Sequence, residues 1–120
     1  MHRKFGLIAA TCLLAGATPA LAQTVCTEPA PPTAVDGNTA TLDQMRAAVA
    51  GAKDFISKSD VYQSCIATDL DAKKKAAGTT PLDPGVQQVA LAKVAANQAA
   101  KDKVAADINA QVKVFQSKPK

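Results

Sequence analysis

The sequence predicts an all-α fold: a long antiparallel two-helix hairpin, coiled-coil-like, with a proline-rich N-terminal arm held to it by a disulfide. Three observations carry that expectation. Two long stretches repeat apolar residues at steps of three and four, the pattern of amphipathic helices. Start and stop signals bound each stretch, and only a short turn separates them. Two cysteines remain once a leader-like N-terminus is set aside, one in the arm and one in the first helix.

The leader comes first. His2, Arg3 and Lys4 make a basic start, Phe5 to Ala17 an apolar run too short to span a bilayer comfortably, and Ala20-Leu21-Ala22 a small-x-small cleavage site after Pro19. Residues 1–22 therefore read as a signal peptide, with the mature chain starting at Gln23. No later apolar run approaches the roughly 20 residues of a membrane span. Cleavage of 22 of the 120 residues leaves 98, enough for one small domain, and turns 14 basic residues into 12 against 10 acidic. The mature side-chain charge is then +2 rather than +4. With no aromatic–basic interleaving either, nucleic acid is not an expected partner. Cleavage also removes Cys12, leaving Cys26 and Cys65 in an oxidising compartment, periplasmic or secreted. An even pair there favours one disulfide, which closes a loop of about 40 residues.

Residues 23–40 form the arm. Pro29, Pro31, Pro32 and Gly37 exclude regular helix. The hairpin occupies 41–116. Thr41 with Gln44 three residues on matches a capping box, and Asp43 suits the positive end of a helix running to about residue 77. Lys73, Lys74 and Lys75 offset the dipole at its end, and Gly78 offers the stop. Asp83 as N-cap with Pro84 behind it starts a second helix over about 84–116, and 117–120 frays. So short a connection implies antiparallel neighbours.

Folding the hairpin about residue 80 brings Leu70 to Leu91, Ile66 to Val94, Ile56 to Val104, Val49 to Val112 and Met45 to Phe115. Apolar meets apolar in a single register. The same register brings Ser59, Tyr62 and Gln63 to Asn97, Gln98 and Lys101. Such a polar layer fixes register or oligomeric state in coiled coils, and a small-ligand site is the sharper reading. Cys65 lies almost opposite this seam, near Val61. The arm is therefore expected to run back over the outer face of helix one, with Val25 or Val35 covering Val61. Aromatic residues make up only 3% of the chain, so the core is thin. Self-association into a four-helix bundle, or an envelope protein partner, is expected to cover the open groove.

Catalytic constellations are missing. The mature chain has no histidine, which removes Ser-His and Cys-His pairs and HExxH zinc sites. It has no glycine-rich phosphate loop and no CxxC, so neither a metal nor a cofactor is expected. Asp69 and Asp71 are two apart, on different helix faces. The expected role is non-enzymatic, structural or protein-binding.

The order of a proline-rich arm, "DGNTATLDQM", an aromatic and "YQSC", followed by "AANQAAKDKVAADINAQV", resembles a group of small secreted helical-hairpin proteins of proteobacteria. The resemblance spans nearly the whole mature chain. It implies an envelope compartment and a hairpin fold, and it carries no assigned activity. "ATLDQM" also resembles the LTxxQ motif of periplasmic helical stress chaperones. Here the order is Thr41-Leu42, and one copy is present. This motif implies the alternative role: a chaperone or inhibitor that holds clients in the hairpin groove.

Overall fold

The structure, a computed structural model, describes residues 25–119. The expected leader, Gln23, Thr24 and Lys120 lie outside the described residues. Two helices, α1 (Leu42–Ala77) and α2 (Pro84–Gln116), pack against each other. At 36 and 33 residues, they are about 54 and 50 Å long.

The ends of both helices are set by local chemistry. The Thr41 hydroxyl accepts from the Gln44 N–H at 3.2 Å, and the Thr41 N–H donates to Gln44 Oε1 at 2.8 Å. This reciprocal box satisfies two donors that no helical carbonyl can reach. Gly78 ends α1 with φ +61°, a conformation that costs glycine little. Asp83 Oδ1 accepts from the Gly85 N–H at 2.6 Å, which caps α2 behind Pro84. Ion pairs along the surface, Lys58–Asp54 and Lys73–Asp69 at 2.7 Å among them, follow the i, i+4 spacing.

Cross-helix hydrogen bonds fix the register that the sequence predicts. Gln63 reaches Asn97 and Gln98, and Lys101 reaches Asp60, so partner numbers sum to 160 or 161. The agreement fails toward the turn. Leu91, expected against Leu70, is 58% exposed. The residue of α2 that turns inward there is Ala90, half-buried. A methyl group where a leucine was expected leaves the two helices poorly filled at that end.

The arm departs from expectation more clearly. It does not cross the outer face of α1, where Val61 stays 69% exposed and Val25 is exposed too. It lies instead in the groove between the helices. Cys26 is bonded to Cys65 with Cα atoms 5.7 Å apart. Pro32 stands against Gly51, and Val35 lines a space with Val104 and Ile108. From Cys26 to Pro32 the arm advances six residues while α1 recedes fourteen. Six extended residues and fourteen helical ones both span about 20 Å, so the arm runs straight and antiparallel to α1.

The physical reason is the buried stripe of α1: Met45, Ala52, Phe55, Ser59, Tyr62 and Ile66. Cys65 follows Tyr62 by one turn, which puts it on the flank of this stripe. A disulfide from that flank draws the arm over the stripe, where proline, alanine and valine cover apolar surface. The arm is thus a third layer, and it supplies much of the cover that a two-helix seam lacks.

Candidate functional site

Two features stand out, a polar layer at mid-height and a cleft at the turn end. In the layer, Ser59 and Asn97 have no exposed surface at all. Asn97 Nδ2 donates to Ser59 Oγ at 3.3 Å and Asn97 Oδ1 accepts from Gln63 Nε2 at 2.9 Å. Gln63 also donates to Gln98 Oε1 at 3.3 Å, and Gln98 donates to Asp102 at 2.9 Å. Among the described residues no buried side-chain nitrogen or oxygen lacks a hydrogen-bond partner.

A satisfied layer of this kind holds register. Slipping one helix by a turn would strand Asn97 among apolar side chains. Two predicted members sit differently. Lys101 pairs with Asp60 rather than with the layer. Tyr62 is buried, yet it turns toward the arm and the turn-end cleft. The layer is closed, so it offers a ligand no free polar group. Replacing Asn97 with Ala leaves Ser59 without its partner and Gln63 with Gln98 alone, and should cost about 2 kcal/mol in chemical denaturation. Combining Ser59→Ala, Gln63→Leu and Asn97→Leu removes the buried polar groups together, leaves Gln98 on Asp102, and should keep stability within about 1 kcal/mol of the parent.

Among the described residues, Tyr62 carries a shifted titration. Burial pushes its phenol above the usual value near 10, and the Glu28 carboxylate of the arm adds to the shift. The native pKa then exceeds the unfolded one. The stability that this difference contributes is fully present below about pH 10 and is lost as pH rises through the native value. Tyr62 is the sole tyrosine, so its absorbance change on ionisation reports it directly. Glu28→Gln should lower the midpoint, because the smaller of the two causes is removed. An unchanged midpoint would show that the arm does not lie beside Tyr62.

The cleft at the turn end encloses about 620 Å³ between Tyr62, Ile66 and Leu70 of α1 and Val86, Val89 and Ala90 of α2, with Val25 and Cys26 at its inner end. Asp69, Lys73, Asp83 and Lys93 rim it. Asp69 is paired with Lys73, and Asp83 caps α2. A second space of about 320 Å³ lies under the arm, between Ala48 and Ala52 of α1 and Val104, Ile108 and Gln111 of α2.

The walls of the two spaces are related. On α2, Val86, Val89, Ala90 and Lys93 precede Val104, Asp107, Ile108 and Gln111 by eighteen residues each. On α1, Ile66 and Leu70 follow Ala48 and Ala52 by the same eighteen. Eighteen residues are five whole turns at 3.6 residues per turn. Both spaces therefore open on one face of the hairpin, and they are two stretches of one groove. The arm covers one stretch, and Cys26 stands where the other begins.

The apolar positions of this repeat are legible in the sequence, but pairing them in a single two-helix register hides it. Such a pairing assigns one stripe per helix to the partner helix and leaves none for the arm. Among the described residues, no group of three or more His, Cys, Asp or Glu is placed to hold a metal ion, and no helix is long and apolar enough to cross a membrane. Compared with known proteins, the chain matches no family model, no curated protein and no solved structure.

Proposed function

We propose that the chain is a non-enzymatic interaction protein of the bacterial envelope, periplasmic or secreted, that works by offering the turn-end stretch of its groove to a protein partner. The observation that carries the reading is the contrast between the two stretches. One is covered by the arm, while the other is larger, walled by Ile66, Leu70, Val86 and Val89, and left open by the described residues, with Val89 57% exposed at its mouth. A contiguous apolar surface in a water-exposed protein marks an interaction site far more often than a structural accident. The leader-like start and the Cys26–Cys65 disulfide support the compartment. The absence of histidine and of nucleophile–base pairs in the mature sequence supports a role without catalysis.

A photo-crosslinking residue at position 89 tests the reading in the cells that make the protein. The expected result is one discrete cross-linked protein species from position 89 and none from position 61, on the outer face of α1. Equal cross-linking from both positions, or none from either, contradicts it. The open cleft also favours the chaperone reading over a purely structural one. That reading expects the oxidised protein to suppress aggregation of unrelated unfolded proteins, and Val89→Asp to abolish the effect.

A further inference from the structure

We infer that the turn-end stretch of the groove binds an extended, proline-containing peptide segment of a partner protein, of the same chemistry as the chain's own arm. The inference rests on the interaction reading above and gives the partner a chemical form.

The argument is continuity with an interface already present. In the covered stretch the occupant is Pro32-Thr33-Ala34-Val35, an extended run of small and apolar residues. Residues 27–35 form no hydrogen bond to the helices, so side-chain shape and apolar contact hold them there, together with the two tethered ends. The open stretch repeats the same walls five turns away, with larger apolar side chains on α1 and Ala90 in place of Ile108 on α2. Ile66 and Leu70 replace Ala48 and Ala52, and Val89 replaces Asp107. A surface that takes such a run in one stretch is shaped to take one in the other.

Two details fit an extended backbone in particular. Gln111 uses its side-chain oxygen to accept the arm's Gly37 N–H at 2.7 Å. Its counterpart in the open stretch is Lys93, which forms no ion pair and can donate to a backbone carbonyl or a carboxylate of the segment. Tyr62 supplies an aromatic face at the inner end. Proline-containing segments already favour the extended form, so docking them costs little conformational entropy.

A labelled synthetic peptide of residues 28–35, Glu-Pro-Ala-Pro-Pro-Thr-Ala-Val, is the probe, titrated into the oxidised mature chain and read by fluorescence anisotropy. With the disulfide intact, the resident arm stays in its own stretch, and the turn-end stretch is the one the described residues leave open. Saturable binding is expected. Val89→Asp should weaken it by about tenfold or more, and Val61→Asp should not change it. A peptide with its prolines replaced by glycine should bind about tenfold more weakly. Thermal melts of both variants should match the parent, since both side chains are exposed. No saturable binding, or equal binding to the Val89→Asp variant, overturns the inference. If position 89 still cross-links one partner in cells while the peptide fails to bind, the interaction reading stands and the peptide chemistry is wrong. A dimer that Val89→Asp dissolves also overturns it, because a second copy then occupies the stretch.

Discussion

Replacing Cys26 and Cys65 with serine should lower the unfolding free energy of the mature chain by about 4 kcal/mol. The bridge joins residues 39 apart, and in the chain-entropy account a loop of that size restricts the unfolded chain by about that amount. For a domain of this length the loss appears as a fall of about 15–30 °C in melting temperature. The arm is where the effect begins. Residues 27–35 have no hydrogen bonds to the hairpin, so one tethered end cannot hold them. Hydrogen exchange should therefore show the Phe55–Ile66 part of α1 losing protection before the Met45 end, which Lys118 still clasps. Lys118 donates to the Ala40 carbonyl at 2.9 Å, and its ammonium lies 4.8 Å from the centre of the Phe115 ring. If the serine variant melts within a few degrees of the parent, the arm is not integral to the fold.

Gly37→Val should cost about 3 kcal/mol, the largest effect expected of a substitution in the arm that leaves the disulfide in place. Gly37 is buried where the arm turns into α1, and its N–H donates to Gln111. A Cβ there would collide with the Gln111 carbonyl oxygen and crowd the Phe115 nitrogen and the Val114 Cβ. The first two are helix backbone and cannot swing away, so the arm must lift from α2. Gly37→Ala should show most of the same loss, since the first carbon makes the collision. Denaturation midpoints of the two variants measure it. Gly51→Ala is the control, because a Cβ there meets only Pro32 at ordinary contact distance. Alanine also favours helix over glycine by about 1 kcal/mol, so this variant should match or exceed the parent.

Much of this architecture was legible in the sequence, and the parts that were not share one cause. Thr41 with Gln44, Asp83 with Pro84 and Gly78 marked both helices to within a residue, because capping is decided by neighbours along the chain. Ser59, Gln63, Asn97 and Gln98 fell into one layer because a two-helix register has a single free number, and the polar residues fix it. The arm was misplaced because its position depends on a third surface. Angles measured from the Gln63 seam put Cys65 behind α1, yet the buried stripe runs through Phe55 and Tyr62, between the seam and the cysteine. Leu91 was misread for a similar reason. Its size suggested the seam, whereas helix phase put Ala90 there. The repeat of the groove every eighteen residues appears only when the arm is seen to occupy one copy.

The most direct test of the open groove is the native mass of the oxidised mature protein, measured by light scattering on a sizing column over a wide concentration range. The mass of a single chain at every concentration is the predicted result, with the turn-end stretch free for a partner. A stable dimer, converted to monomer by Val89→Asp, would contradict the account and make a second copy of the chain the occupant of the groove.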